Sequence, residues 1–467
     1  MNTTNATRIL QQLRAYESRN VTFLEPDGSW PIVWDRAKGA RVWDADGNPY
    51  VDLTAAFGVA ASGHANPRVV KAGQRQMARL LHAMGDVHPH ALKAQLAQEL
   101  SRITFERWSQ RAARIAVLQT GKTIFCNSGF EAVEAALKTA MLKTDKAGVI
   151  AFLGAYHGLG YGALHVTHRE HFRSRFRSQL GGFAHFVPFP GFGYMGADGR
   201  EVSADKVTVE RTAWSIRQLC RQHRIGAILV EPVQGRGGLR VPPPEFLPAL
   251  RALADENGAL LILDEIYTGF GRTGKWFACE HSGAVPDLLC LGKALSGGFP
   301  LSACVGRAEL MDEAWPPSTG EAIHTSTFLG HPVGCAMALA QIEEIETQGL
   351  VERSATLGER LLKQLRTATA RSNFQVEVRG LGLMAGVELH LGDGAPAGAE
   401  AMRIIKAMLH LGYLVLPEGE HGNVISFTPP LTITEGQLRA AVKTLGELIG
   451  ARPVRPRRRA GRAAVRA

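Results

Sequence analysis

Short runs of consecutive apolar residues alternate with helical patterns over the middle of the chain. The runs Leu260–Leu263 and Leu288–Leu291, like the segments TIFCNSG, GVIAFLGAYHG, FAHFVPFP and IGAILVEPVQG, have the length and turn-forming neighbours of strands buried on both faces. Helical patterns at Glu131–Leu142 and near Pro244–Asn257 lie between these runs. This alternation predicts an α/β fold with a mainly parallel, doubly wound sheet.

The two ends of the chain have different patterns. Gly39–Leu53 is typical of a small β-meander with an Asp-Gly turn, and a helical pattern runs from about Pro67 to Leu100. From about Val333 the pattern changes and ends in a helix at Thr434–Gly450, which predicts a second, smaller α/β domain. We therefore predict four segments: an N-terminal segment 1–66 that packs with the small domain, a large domain 67–332, a small domain 333–450 and a disordered Arg-rich tail 451–467.

Composition narrows the class of protein. Hydrophobic residues make up 45% and charged residues 21% of the chain, as in soluble globular enzymes. No apolar run approaches the roughly 18–20 residues of a membrane helix, and the N-terminus lacks a secretory signal pattern. The six cysteines are scattered without a CxxC pair, so we expect neither a metal site nor a disulfide framework. These features favour a cytoplasmic protein.

The net charge of +10 comes mostly from the tail. Residues 451–467 contain seven Arg and no acidic residue, and the rest of the chain has 46 basic and 43 acidic residues. Such a tail binds nucleic acid or an anionic surface in some proteins, but no aromatic residues are interleaved to stack on bases. We expect a solvated terminus, with no nucleic-acid binding beyond weak binding by the tail.

A lysine and an aspartate are the strongest candidates for chemistry. Asp264 ends one predicted strand and Lys293 follows the next one, so both lie where parallel sheets place their ligands. A lysine amine forms a Schiff base with a carbonyl group. Pyridoxal phosphate carries that carbonyl and needs a carboxylate beside its ring nitrogen. Alone, the aspartate is more often a capping residue and the lysine more often a surface cation; the pair together predicts this cofactor.

A phosphate site is predicted where a strand runs into Asn-Ser-Gly and then into a helix. The free amides at a helix N-terminus, with the helix dipole, attract anions. Ser128, Gly129 and Phe130 are therefore candidates to hold the cofactor phosphate, and Gly129 permits a close approach of the backbone. By itself this pattern is also that of an ordinary turn and cap.

The chain resembles the class III, fold-type I pyridoxal-phosphate-dependent aminotransferases, the group of ornithine, acetylornithine, 4-aminobutyrate and other ω-amino transaminases. The resemblance runs from about Val42 to Leu448. It rests on the segments DEIYTGFGRTG, GKALSGG, SGFEAVEAALK, YHG, HTSTFLG and EPVQG. It implies a large domain with a mainly parallel sheet and a smaller C-terminal α/β domain.

The resemblance also implies residue roles. Lys293 forms the Schiff base, and Asp264 pairs with the ring nitrogen. The further cofactor contacts implied are Ser128, Gly129 and Phe130 at the phosphate, Tyr156 and Ile266 at the ring faces, and His157, Glu231, Gln234 and Tyr267 around the ring. Thr327 reaches the phosphate of a neighbouring subunit, which implies a homodimer with shared active sites and leaves open whether dimers pair into tetramers.

The chain departs from this family at the substrate positions. Relatives that use glutamate carry an Arg before F-x-P-P-L and often a Glu after E-P-x-Q-G; here these positions are Ser426 and Arg236. Leu159 replaces an Arg that follows Y-H-G in 4-aminobutyrate enzymes, and the substrate-facing residue of the N-terminal segment is Phe57. Either Arg236 takes over recognition of a carboxylate or another anionic group, or it points outward or pairs with an acid. In the second case the amino acceptor is pyruvate or another compound that depends less on an arginine contact.

We predict an aminotransferase that moves an amino group from a primary ω-amine or ω-amino acid to a keto acid in a ping-pong cycle. The alternative with the same cofactor is a lyase, a decarboxylase or an aminomutase, which the missing Arg at position 426 makes more credible. Donor and acceptor are not specified by the sequence.

Overall fold

The computed structural model describes residues 4–26, 28–111, 119–195 and 201–450, and the predicted tail 451–467 lies outside these ranges. A seven-stranded sheet forms the centre. Its strands are, in spatial order, Gly121–Cys126, Ser302–Arg307, Leu288–Leu291, Leu260–Asp264, Ile225–Val230, Gly148–Phe152 and Ala184–Val187. Ser302–Arg307 is antiparallel to both neighbours, and the other pairs are parallel. The predicted mainly parallel sheet is confirmed.

Helices cover both faces of this sheet. Successive side chains of a strand point to opposite faces, so each strand contributes to two core clusters. Leu261 and Leu263 belong to one core cluster, together with residues of the helix Phe246–Asn257. Ile262 belongs to a second cluster, with residues of the helix Gly129–Thr144. Every residue of the strand Leu260–Asp264 is buried, so the continuous apolar run reflects burial on two sides.

The parallel strands bring polar residues to one edge of the sheet. Asp264 is the last residue of its strand, and Lys293 comes two residues after the neighbouring strand Leu288–Leu291. Glu231 directly follows the strand Ile225–Val230 on the other side. Since parallel strands share their direction, these three side chains start from the same edge.

Helices surround the sheet and continue into both ends of the chain. They span Asn5–Tyr16, Pro67–Arg79, Ala91–Ser101, Arg107–Arg111, Gly129–Thr144, Tyr161–Val166, Glu170–Arg173, Val209–Gln222, Phe246–Asn257, Ala308–Ala314, Pro332–Thr347, Leu350–Thr369, Gly398–His410 and Glu435–Gly450. Ala55–Gly58 is a single helical turn, and Arg102–Glu106 is a π-helical turn. Short 3-10 turns lie at Ser174–Gln179, Ala204–Lys206, Ala278–His281 and Lys293–Leu295.

The helical pattern predicted from Pro67 to Leu100 was wrong in one respect: it is interrupted. The first helix ends at Arg79 and the second begins at Ala91. Pro89 disfavours a helical conformation of the residue before it, and the His90 side chain accepts a hydrogen bond from the Lys93 amide as an N-cap.

Two smaller sheets are built from the ends of the chain. One has the strands Trp34–Lys38, Arg41–Asp44, Pro49–Asp52 and Tyr413–Leu414, of which the last two pair in parallel. The other is antiparallel, with the strands Gln375–Leu381, Met384–His390, Val424–Phe427 and Leu416–Glu418 in that order. A two-stranded ribbon pairs Tyr194–Met195 with Glu201–Val202.

Candidate active site

A cavity of about 530 Å³ lies at the carboxyl edge of the large sheet, a volume typical of small-molecule sites. Most residues predicted from the sequence line it: Phe57, Gly129, Phe130, Tyr156, His157, Glu231, Arg236, Asp264, Ile266, Tyr267 and Lys293. The predicted residues Ser128, Gln234, Thr327 and Ser426 are not among the lining residues. The structure therefore brings the two chemical candidates, Lys293 and Asp264, into one cavity.

Lys293 is held in a conformation that few lysines adopt. It begins a short 3-10 turn, and its φ of +41° is left-handed, which costs about 1–2 kcal/mol for a residue with a side chain. Burial lowers the pKa of its amino group, and the nearby carboxylates of Asp264 and Glu231 oppose that shift. A lowered pKa leaves more of the amine neutral, which is its nucleophilic form.

The Asp264 carboxylate has two fixed partners. His157 Nδ1 lies 2.8 Å from Asp264 Oδ2, and the amide of Ile266 donates to Oδ1 at 3.1 Å. Both side chains are buried. The other imidazole nitrogen, His157 Nε2, makes no hydrogen bond with the described residues. These two contacts fix the orientation of the Asp264 carboxylate.

The helix Gly129–Thr144 begins at the cavity with a side-chain cap. Glu131 Oε2 accepts hydrogen bonds from the amides of Asn127 and Ser128, both at 2.8 Å, and from Ser128 Oγ at 3.1 Å. The amide and hydroxyl of Ser128 are therefore engaged within the cap. Gly129 and Phe130 contribute the first-turn amides that lack helical partners.

Glu231 connects two segments of the cavity wall. Its carboxylate accepts from the amide of Tyr156 at 3.0 Å and from the amide of Gly235 at 3.0 Å. Burial raises the pKa of Glu231 to about 7. Gln234 lies behind the wall, where its amide group donates to the carbonyl of Leu153 at 2.9 Å.

Tyr267 is held from three sides. Its hydroxyl lies 3.0 Å from Thr428 Oγ1, and burial raises its pKa to about 12. A Cβ atom at Gly58 or at Gly235 would lie 2.6 Å from an atom of the Tyr267 ring. The absence of side chains at these two glycines leaves the space that the ring occupies.

Arg236 lines the cavity and also pairs with an acid. Arg236 Nη1 lies 3.1 Å from Glu418 Oε2, and its guanidinium carbon lies 6.0 Å from the centroid of the Tyr156 ring. Its carbonyl accepts a hydrogen bond from the amide of Gly419 at 3.1 Å. Of the two interpretations left open by the sequence, pairing with an acid is observed, but the guanidinium still faces the cavity.

The remaining predicted residues lie in different places. Phe57 lines the cavity with half of its side chain exposed and a φ of +61°. Ser426 is 2% exposed, and its hydroxyl donates to the carbonyl of Leu416 at 3.0 Å. Thr327 is exposed in a turn; the side chain of the preceding Ser326 accepts a hydrogen bond from Asn127 Nδ2 at 3.3 Å.

Sequence reasoning missed four residues of this site: Arg169, Phe172, Glu418 and Thr428. Phe172 lines the cavity, and its ring centroid lies 5.5 Å from that of Tyr156. Glu418 and Thr428 act through their contacts with Arg236 and Tyr267. Glu418 and Thr428 come from the C-terminal part of the chain, and no local pattern indicates which residues of the preceding segments they meet. Arg169 follows the helix Tyr161–Val166 in a stretch rich in basic residues.

The cavity fits pyridoxal phosphate. An amine and a buried carboxylate line one space, and helix amides open into it. A Cβ at Gly129 would lie 3.0 Å from Ile266 Cδ1, so a larger residue would fill the gap between the helix start and Ile266. Among the described residues there is no cluster of three or more His, Cys, Asp or Glu side chains suited to hold a metal ion. No helix in the described part of the chain is long and apolar enough to cross a bilayer.

Comparison with known proteins decides the family. A sequence model described as "Aminotransferase class-III" matches residues 24–449. The chain belongs to the class-III aminotransferases. It is therefore a pyridoxal-phosphate-dependent transaminase, as the resemblance implied, and the relatives give no support to a lyase, a decarboxylase or an aminomutase.

Individual relatives in this family are similar over most of their length. A 5-aminovalerate aminotransferase of Pseudomonas aeruginosa is 37% identical, over 89% of this chain and 93% of the relative. A putrescine aminotransferase of Pectobacterium atrosepticum is also 37% identical, over 91% of this chain and 85% of the relative. The solved ornithine aminotransferase of Toxoplasma gondii is 27% identical, with a TM-score of 0.80 over 96% of this chain and 95% of that chain. These likenesses confirm the fold-type I architecture.

Proposed function

We propose that this class-III aminotransferase takes its amino group from a primary ω-amine or ω-amino acid and transfers it to a keto acid in a ping-pong cycle. The observation that carries the proposal is the placement of Lys293 and Asp264 in one cavity. The names of relatives that act on 5-aminovalerate and putrescine support a terminal amine as donor.

A screen of amines against keto acids with the purified holoenzyme tests this proposal. We expect transfer from straight-chain terminal amines, with stoichiometric keto product, and no transfer by Lys293→Ala. Transfer from α-amino groups alone would contradict the proposed donor class. Product formation without transfer to a keto acid would instead favour lyase or mutase chemistry.

Each residue at the cofactor has a proposed role. When bound, pyridoxal phosphate supplies an aldehyde that bonds to amines and a ring that withdraws electrons from the substrate carbon. Lys293 would hold the cofactor aldehyde through its amine, and the same amine, when free, would move the proton at the substrate carbon. Asp264 keeps a proton on the ring nitrogen because opposite charges favour the protonated form. His157 orients Asp264.

The cofactor phosphate and ring have separate proposed contacts. We assign the phosphate to the first-turn amides of Gly129 and Phe130, with Ser128 closing the cap beneath them. Tyr156 and Ile266 line the cavity and are assigned to the two ring faces. Glu231 positions the segment of Tyr156 by accepting a hydrogen bond from the Tyr156 amide. Gln234 positions the same segment by donating to the carbonyl of Leu153.

At the substrate end, we assign Phe57 and Arg236 to direct contact. Both line the cavity, whereas the Ser426 hydroxyl is engaged with Leu416 within a sheet. Arg236→Ala should slow the half-reaction with an amino or keto acid whose carboxylate it binds. Unchanged half-reactions with glutamate, alanine and pyruvate would remove Arg236 from substrate recognition.

We also propose a homodimer in which Thr327 contacts the phosphate bound by the neighbouring subunit. Exposed apolar side chains support an interface near this residue: Leu81, Met84, Val87 and Phe328 are all more than half exposed. Phe328 lies near the segment that carries the other three, since the rings of Phe328 and His82 are 5.3 Å apart. Light scattering after gel filtration should give twice the chain mass, or four times if dimers pair. The mass of a single chain would contradict the proposal.

The remaining proposals concern organisation and location. We propose a division into segments 1–66, 67–332, 333–450 and a tail 451–467. The parallel pairing of Pro49–Asp52 with Tyr413–Leu414 supports packing of the first segment with the third. All six cysteines carry free thiols, which supports a cytoplasmic location. Any binding of nucleic acid by the tail should be salt-sensitive and should vanish when residues 452–467 are deleted.

A further inference from the structure

Two arginines lie near one buried carboxylate beside the cavity, and one of them pairs with it. Glu418 is 2% exposed, and its carboxylate lies 3.1 Å from Arg236 Nη1. Arg169 is the second cation. Burial lowers its pKa, the neighbouring Arg236 lowers it further, and the carboxylates of Glu418 and Glu420 oppose the shift. Glu420 is exposed to solvent, so Glu418 is the one buried carboxylate of this cluster, against two partly buried guanidinium groups.

The positive charge of the Arg169 guanidinium has few partners among the described residues. Its guanidinium donates to the carbonyl of Glu420 at 3.4 Å. Within the described residues it has no carboxylate within 4.0 Å, in contrast to Arg236. A partly buried guanidinium without a carboxylate partner is costly unless an anion completes the site.

Both guanidinium groups face the same aromatic pair in the cavity wall. The guanidinium carbon of Arg169 lies 5.6 Å from the centroid of the Phe172 ring, and that of Arg236 lies 6.0 Å from the centroid of the Tyr156 ring. Phe172 and Tyr156 both line the cavity, with their ring centroids 5.5 Å apart. The excess positive charge is therefore next to the space that receives the substrate.

We propose that Arg236 and Arg169 together bind an anionic group at the far end of the amine donor, and that Glu418 positions Arg236. This inference rests on the proposed function and specifies its substrate class: an unbranched ω-amino acid rather than a diamine. A carboxylate supplies the missing negative charge and accepts charge-assisted hydrogen bonds from guanidinium groups. The second ammonium of a diamine would approach two cations that are balanced by one buried anion.

Binding of valerate to the holoenzyme is the direct test, because valerate carries the carboxylate but no reactive amine. Calorimetry should show binding to the wild-type enzyme. Arg236→Met and Arg169→Met should each weaken it about tenfold or more, the size of a lost charge-assisted contact. Arg169→Lys, which keeps a cation, should recover part of the affinity. Arg175→Met is the matched control, since Arg175 is exposed in the same segment, and should bind like wild type.

Kinetics separate the donor from the acceptor. The KM for 5-aminovalerate should rise in both Met variants with little change in kcat, while the KM for putrescine stays the same or falls. A rise in the KM for pyruvate alone would assign the site to the acceptor and overturn the inference. No binding of valerate by the wild type, or unchanged binding in both Met variants, would also overturn it.

Failure of the proposed function gives a different result. A wild-type enzyme that binds valerate through these arginines but transfers no amino group from any ω-amine would contradict the proposed donor and leave the anion site standing. The absorbance of bound cofactor in each variant checks that folding is intact, and Arg169→Lys serves if the Met variant does not fold.

Discussion

The ε-amino nitrogen of Lys293 lies over the ring of Tyr267, 4.5 Å from its centroid. An aromatic face attracts a cation at this distance and so favours the ammonium form of the lysine. The Tyr267 ring therefore opposes the lowering of the Lys293 pKa by burial.

Removing the ring should shift the pH dependence of the donor half-reaction. Tyr267→Leu takes away a cation–π contact worth about 0.5–2 kcal/mol, and its loss lowers the pKa of the Lys293 amine. The neutral amine then persists to lower pH, and the rising limb of the rate profile should move to lower pH. Tyr267→Phe keeps the ring and should keep the profile. Equal shifts in Tyr267→Phe and Tyr267→Leu would show that the hydroxyl, and not the ring face, carries the effect.

Substitution of the glycines beside Tyr267 should disturb the cavity. Gly58→Ala and Gly235→Ala each put a methyl group 2.6 Å from a Tyr267 ring atom, and the φ of Gly58 is +82°. We expect both variants to lose cofactor content and to melt at a lower temperature. Overpacking of this kind lowers the free energy of unfolding by about 1–3 kcal/mol. Gly436→Ala is the control, because open space surrounds that position near the start of a helix. Normal cofactor content in both cavity variants would contradict the tight fit.

Asp264→Asn should separate cofactor binding from catalysis. The amide keeps the volume but loses the negative charge that we assign to the ring nitrogen. We expect a large loss of transamination rate, with the cofactor still bound through the phosphate contacts. His157→Asn should cause a smaller loss, about tenfold or more, since it removes one hydrogen bond to a charged group. Both are measured as single-turnover rates, and a fully active Asp264→Asn enzyme would refute the assignment.

Glu231 should make the stability of the cofactor-free protein depend on pH. Burial raises its pKa from 4.5 to about 7 in the folded protein. A carboxyl group with a raised folded pKa contributes stability below pH 4.5 that is lost as the pH rises through about 7. The expected loss is about 3 kcal/mol.

Comparison with Glu231→Gln checks this prediction. The glutamine has no charge to bury but also loses one acceptor for the amides of Tyr156 and Gly235, a cost that does not change with pH. The melting temperature of Glu231→Gln, relative to wild type, should therefore rise between pH 5 and pH 8. A difference that stays constant over this range would contradict a raised pKa.

The sequence predicts the positions of residues that end neighbouring strands. Asp264 and Lys293 meet because two buried parallel strands carry them to one sheet edge, and both strands are recognisable as apolar runs. The break between the helices at Arg79 and Ala91 had a local signal too, in Pro89. Where the position of a side chain is set by its own strand or turn, the sequence is sufficient to predict that position.

Partners from distant parts of the chain are not predictable in this way. Arg236 pairs with Glu418 across 182 residues, and the periodicity of neither segment specifies that contact. The direction of the Ser426 hydroxyl depends on the register between two short strands of the small sheet. The first contact joins the C-terminal sheet to the loop after the strand Ile225–Val230, and the second lies within that sheet, so the prediction of both requires the tertiary structure.

The covalent role of Lys293 is tested most directly by borohydride reduction of the holoenzyme, followed by proteolysis and mass spectrometry. Reduction fixes a bond between pyridoxal phosphate and a lysine as a stable adduct. We predict that one peptide carries the adduct, that it contains Lys293, and that Lys293→Ala yields no such peptide. An adduct on another lysine, or none with Lys293 intact and cofactor bound, would contradict the account.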